Sequence, residues 1–226
     1  MKIPLATCLL MSTIVTAEVE ETVPSQNTYK DISKSMSVSV KKRRFLNLML
    51  PPINRVHKEL QEQFIQIKND ILAGVNKKEI QKLKKIYKVE SDEDLLYALK
   101  PHPKSIVLAQ AAIESAWATS RFFIQANNVF GVWSTHPSQN RLAAAQKRGD
   151  RTIWVRKYYS LEEAVREYYK MIARGDSYFD LRMYRYNSDD PCLIIQGLDK
   201  YSERGYEYVN IISTVIRHNN FTKYDK

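Results

Sequence analysis

One spacing constrains this chain more than any other feature. Val56, Leu60, Phe64, Ile67 and Ile71 recur every three or four residues, which places them along one face of a helix. Gly74 is placed to end that helix, since a residue without a Cβ turns left-handed at little cost. Ile80, Leu83 and Ile86 mark a second helix. Ser91, three residues before Asp94, resembles a capping box for a short helix carrying Leu95, Leu96 and Leu99. The helical pattern sets in from Pro51-Pro52, and residues 45–100 read as a helical subregion packed on the C-terminal half of the chain. Helical spacing returns after Ser160, whose partner Glu163 completes another capping box, with Ala164, Val165, Tyr168, Met171 and Ile172 facing inward. Asp190-Pro191 opens a short helix that Gly197 is expected to close, and Tyr208, Ile211, Ile212, Val215 and Ile216 line the last one. Two stretches break the helical pattern. Phe130-Gly131-Val132-Trp133 and Thr152–Tyr158 are short strand material, separated by a polar segment containing Pro137 and Gly149-Asp150. They predict a hairpin with a long, mobile loop. The expected fold class is α+β, mostly helical with one small β-hairpin lobe.

A chain of 226 residues, 44% hydrophobic, can bury one sizeable core. No Gly- or Pro-rich linker and no repeat divides it. Met1-Lys2-Ile3, an apolar run from Leu5 to Val15 and the small-residue exit Val15-Thr16-Ala17 predict a signal peptide over 1–17. The protein is therefore expected to be periplasmic or secreted, with an uncleaved amphipathic N-terminus as the alternative. The apolar run is too short to span a bilayer, so no stable membrane insertion is expected. Residues 18–44 are predicted to begin the mature chain as a flexible lead-in. Cleavage would remove Cys8 and leave Cys192 alone, so no intramolecular disulfide could form. Cys192 itself, in Pro191-Cys192-Leu193-Ile194-Ile195, reads as a buried small hydrophobe. His57, His102, His136 and His218 show no metal-binding spacing, and neither metal nor cofactor is expected. The net charge of +10 suits an anionic polymer, such as nucleic acid or cell wall. Neither Lys41-Lys42-Arg43-Arg44 nor the lysines from Lys77 to Lys85 lie within a nucleic-acid motif, and an exported protein would rarely meet nucleic acid. A monomer is expected.

The most informative single residue is Glu114. Pro103 is placed to open a helix running to Trp117, in which Ile106, Ala109, Ile113 and Trp117 form a buried stripe. Gln110 and Glu114 share another face, one turn apart. A carboxyl among Ala111, Ala112, Ile113 and Ala116 is partly desolvated, which raises its pKa and keeps a proton available near neutral pH. That is what a general acid requires. The plain alternative is an exposed glutamate on an amphipathic helix.

Three segments together resemble one family. Ala109–Trp117 is similar to the catalytic-helix motif of the peptidoglycan N-acetylglucosaminidases of glycoside hydrolase family 73. Asn128-Val129-Phe130-Gly131 resembles the next turn in that family, and Tyr201–Val209 resembles the closing tyrosine motif of the Bax-like branch. The resemblance covers about residues 100–226. It implies a lysozyme-like fold and cleavage of the β-1,4 bond after N-acetylglucosamine in wall glycan strands. It makes Glu114 the catalytic acid, Tyr201 and Tyr208 the tyrosines that line or support the cleft, and Phe130 and Gly131 the turn at its floor. Gln110 and Trp133 join these as candidate substrate contacts, Trp133 as a sugar-stacking platform. There are departures: many relatives carry an acid where this chain has Val132, and the hairpin cysteines common in that branch are absent.

A glycosidase also needs a group to meet the oxocarbenium-like centre. Asp150, the one acid between Val129 and Tyr159, could activate a water. Otherwise the substrate's own 2-acetamido group could act, with Tyr201 or Tyr208 orienting it. Two other readings stay open: a lytic transglycosylase, and a non-catalytic wall-binding or regulatory protein.

Overall fold

The computed structural model of the chain describes residues 36–148 and 151–226, with the side chains of 145–148 and 151 undescribed. The predicted signal peptide and most of the predicted lead-in lie outside these residues. The order begins with α1 (Val38–Ala73), α2 (Lys77–Tyr87), α3 (Asp92–Leu99), α4 (Lys104–Glu114) and α5 (Arg121–Ala126). A hairpin of β1 (Arg141–Arg148) and β2 (Arg151–Arg156) interrupts the helices. They resume with α6 (Leu161–Arg174), α7 (Phe179–Asn187), α8 (Pro191–Ile194) and α9 (Tyr206–His218), with short 3-10 turns at 176–178, 195–198 and 221–224.

Helix α1 starts well before the predicted onset. Ser37 caps it, its hydroxyl accepting from the Val40 amide, so residues 38–44 are helical rather than lead-in. It runs through Pro51 and Pro52, which remove two backbone donors. Tertiary burial overrides that loss. Phe45, Met49, Ile53 and Val56 are wholly buried at helical spacing in the main core. Further along, Phe64 and Ile67 pack with Ile80, Leu83, Leu95 and Leu99 in a second cluster. At 36 residues the helix is about 54 Å long, enough to serve both cores. Gly74 ends it in the left-handed region (φ +69°), as its spacing predicts. Ser91 and Ser160 cap α3 and α6 through the amides of Asp94 and Glu163. The Glu163 carboxylate in turn accepts from the Tyr159 amide.

Helix α4 is the central element, with every residue from Ser105 to Ala112 buried. Pro103 stands one residue earlier than predicted, at its N-cap. The helix stops at Glu114 instead of Trp117. Ala116, Trp117 and Ala118 then take left-handed conformations (φ +51°, +61° and +62°). Each costs an L-residue about 1–2 kcal/mol. Contacts offset this: the Ser115 hydroxyl bonds the Ala111 carbonyl and the Ala118 amide, and Arg44 of α1 donates to the Ala118 carbonyl at 3.0 Å. The Trp117 ring meets Phe45 edge-on at 5.2 Å.

The hairpin also departs from expectation. Its first strand is Arg141–Arg148, which lies in the segment predicted to be a long loop. Arg141 faces Arg156 and Ala143 faces Trp154; after an irregularity, Lys147 faces Thr152 and Arg148 faces Arg151. An alanine-rich strand has weak intrinsic preference, and pairing with Thr152, Trp154 and Val155 supplies what propensity does not. Trp133 joins the lobe by a single bridge to Val155, so Phe130–Trp133 is a turn and its exit rather than a strand. Gly197 is no helix stop. It lies within a 3-10 turn pressed on α7, where a Cβ would fall 2.3 Å from the Leu181 nitrogen. Cys192 is exposed near the start of α8, not buried. No helix among the described residues is long and apolar enough to cross a membrane, and none of their His, Cys, Asp and Glu side chains cluster as metal ligands.

Candidate active site

Glu114 is the last residue of α4, where the left-handed turn exposes the helix end. Burial raises its carboxyl pKa above the usual range, opposed by a hydrogen bond from Tyr208 and by the Arg204 guanidinium. Tyr208, on α9, donates to Glu114 Oε1 at 2.8 Å. The other oxygen, Oε2, faces the turn after α5: a Cβ added at Gly131 would lie 3.7 Å from it. Gly131 has φ +67°, which favours glycine, and its lack of a side chain leaves that oxygen open. Asn128 pins the turn. Its side chain donates to the Val132 and Arg156 carbonyls and accepts from the Val132 amide.

The other sequence candidates divide into supports and rim. Tyr201 stacks on Tyr208, ring centroids 5.4 Å apart and 8° from parallel, and its hydroxyl donates to the Phe130 carbonyl at 3.1 Å. Its hydrogen is thus engaged by the turn beside Glu114. Phe130 is buried and stacked on Tyr168 at 4.1 Å. Gln110 is fully buried and Tyr208 nearly so. Phe130, Gln110 and Tyr208, expected from the sequence near substrate, are packed behind the carboxyl and the turn. Gly131 and the exposed Trp133 do reach the surface. Asp150 lies outside the described residues.

Sequence reasoning missed the groups behind Glu114. Gln110 donates to the Tyr208 oxygen at 3.2 Å and accepts a short bond from the Tyr168 hydroxyl. The Tyr168 oxygen lies 2.8 Å from His102 Nε2. His102 Nδ1 lies 3.3 Å from Arg185 Nη1, and Arg185 also donates to the carbonyls of Tyr97 and Ala98 at the end of α3. The sense of this buried chain is fixed at its far end. A guanidinium only donates, so His102 Nδ1 must accept. Burial holds the His102 pKa well below its ordinary value, so the ring is neutral with its hydrogen on Nε2. Every donor from Arg185 through His102, Tyr168, Gln110 and Tyr208 then points at Glu114. Burial lowers the Arg185 pKa to about 9, which still leaves it mostly charged at neutral pH. Because Oε1 already accepts from Tyr208, the acidic proton of Glu114 belongs on Oε2, the oxygen toward Gly131.

No curated protein sequence matches the chain. The catalytic domain of the autolysin Auto from Listeria monocytogenes has a similar fold (TM-score 0.55, 18% identity, covering 91% of this chain and 100% of that one). So has an N-acetylmuramoyl-L-alanine amidase from Staphylococcus aureus (TM-score 0.53, 16% identity, covering 82% and 43%). The glycoside hydrolase domain of FlgJ from Salmonella typhimurium matches at TM-score 0.50 and 16% identity, covering 80% and 90%. Residues 95–221, more than half of the sequence, match a family model and contain Glu114, the Gly131 turn and both stacked tyrosines. The chain therefore belongs to the glucosaminidase family described as mannosyl-glycoprotein endo-beta-N-acetylglucosaminidase, and is a glycoside hydrolase.

Proposed function

We propose that the protein hydrolyses the β-1,4 bond after N-acetylglucosamine in bacterial peptidoglycan, with Glu114 as general acid. The observation that carries this is the Glu114 carboxyl itself: raised in pKa by burial, held by Tyr208 through one oxygen, and open at the other beside Gly131. A proton on Oε2 can be delivered to the leaving glycosidic oxygen. Tyr208 has its oxygen bonded by Gln110 and its hydrogen by Glu114, and Tyr201 is bonded to the turn. Neither tyrosine hydroxyl is available as the second catalytic group. The lobe's one acid is Asp150. In a lobe so poor in acids we assign the second role to the substrate's 2-acetamido oxygen, with Asp150 as the alternative. The names autolysin and N-acetylmuramoyl-L-alanine amidase among the fold's other members support a wall substrate. Action on that polymer places the protein outside the cytoplasm, and the export signal predicted over 1–17 agrees with this.

The test is mass spectrometry of sacculi incubated with the purified protein. Fragments ending in reducing N-acetylglucosamine, reduced at least about 100-fold in Glu114→Gln, are expected. Products with 1,6-anhydro ends would make it a lytic transglycosylase. Wall binding without release of fragments would make it a binding protein. Asp150→Asn should keep most activity; near-complete loss in a folded variant would overturn the acetamido assignment.

A further inference from the structure

A cavity of about 320 Å³ lies beside Val132 and Trp133, against β2 and α6. Its charged lining is four cations, Lys88, Arg156, Lys170 and Arg174, against one carboxylate, Glu167. That carboxylate is shared between Arg156 at 2.8 Å and Lys170 at 3.6 Å. Among the described residues no ion pair holds Lys88 or Arg174. The cavity therefore carries an excess of positive charge that its own lining does not neutralise.

A second observation is independent of charge. Tyr158 lines the same cavity and is only 2% exposed, yet its buried hydroxyl has no hydrogen-bond partner. The buried Nε of Arg156, another lining residue, has none either. Buried donors without acceptors are costly, and phenylalanine would fill the Tyr158 position without that cost. The cavity wall thus contains two donors that the protein's own acceptors leave unsatisfied. The burial that leaves the Tyr158 hydroxyl orphaned also pushes its pKa up to about 12, so it is a donor at any physiological pH. The remaining wall suits a peptide more than a bare ion. Trp133 and Met171 offer apolar surface, and Gln139, its side-chain oxygen bonded to Ser134, has amide hydrogens left to donate.

We propose that this cavity binds the carboxylate-bearing peptide arm of the wall substrate. The assignment rests on the peptidoglycan reading above. Trp133 is two residues beyond Gly131, about 7 Å of extended chain, so a peptide hanging from a sugar next to Glu114 can reach the cavity. The site would then favour glycan strands that still carry peptides over stripped ones.

The test is a binding measurement that needs no turnover. N-acetylmuramyl-L-alanyl-D-glutamate, with both carboxylates free, and its neutral diamide are titrated into the full chain by calorimetry. The free acid should bind at least ten-fold more tightly, and the preference should shrink as salt is raised. Lys88→Ala with Arg174→Ala should abolish the preference. Tyr158→Phe should weaken binding of the acid at least three-fold without lowering Tm, because the hydroxyl it removes has no partner within the protein. Equal affinity for acid and diamide would overturn the proposal. So would an equal loss from the pair Lys77→Ala and Lys78→Ala on the distant α2 face, which would reduce the effect to general charge. Inorganic phosphate competing as well as the acid would overturn the peptide assignment. If the acid is preferred but sacculi are not cleaved, the glycosidase reading fails and the cavity's ligand class stands.

Discussion

Tyr208→Phe removes one hydrogen-bond donor from Glu114, the proposed general acid, and leaves the ring stack on Tyr201 in place. In the native protein the hydroxyl favours the ionised form of Glu114, so it holds the pKa below the level that burial alone would set. A hydrogen bond to a charged group contributes about 1.5–3 kcal/mol. Its loss therefore raises the Glu114 pKa further above the usual carboxylate range. A general acid acts only while protonated, and activity falls as pH rises through its pKa. The descending limb of kcat/KM against pH should therefore move to higher pH in the variant. The profile of kcat/KM reports the free enzyme, the state in which Tyr208 holds Glu114 with no sugar present. A structural cost accompanies the shift. Gln110 Nε2, fully buried, loses its acceptor, at about 1–3 kcal/mol of stability. Thermal unfolding measures that cost separately, and the pH limb does not depend on it. A descending limb that stays in place, or moves to lower pH, would refute the donor role of Tyr208 and with it the sense of the whole chain.

The same physics gives three further outcomes. Arg185→Met removes the obligate donor that sets the His102 tautomer and strands the Tyr97 and Ala98 carbonyls; it should cost about 2–5 kcal/mol in denaturant unfolding and shift the same pH limb upward by less than Tyr208→Phe does. Gly197→Ala drives a methyl into the Leu181 backbone and should destabilise by about 1–3 kcal/mol or more, read in Tm, with the pH profile unchanged. Burial lowers the His57 pKa to about 4, so stability that is complete above about pH 6.5 is lost as pH falls through that value toward 4, by up to about 3 kcal/mol; His57→Gln should flatten Tm across this window.

The parts of the site that lie on one strongly periodic element were legible in the sequence. Glu114 stood out as a carboxylate alone on an alanine-rich helix face, whereas Gly131 read from its residues as strand material and was placed at a turn only by the family resemblance. The supporting chain could not. His102 sits between Pro101 and Pro103 on no periodic face, Tyr168 reads as one more inward aromatic, and Arg185 looks like a solvated residue of a polar helix. Only their convergence in space makes them a unit. The first strand failed for a related reason. Leu142-Ala143-Ala144-Ala145-Gln146 has no alternation, and its conformation is set by β2 across the ladder rather than by its own residues. Likewise the onset of α1 was hidden because Pro51-Pro52 looks like a boundary until the burial of Phe45 and Met49 on its other side is known.

The grip of Arg44 on the turn after Glu114 separates two ways of dividing this chain. By family, the unit begins at residue 95. Mechanically it begins well before that, because α1 packs with α4 in one core and fastens the turn after it from outside the family boundary. The long helix is thus a splint for the three left-handed residues that follow Glu114. Arg44→Ala is therefore expected to loosen that turn from a position outside the family boundary.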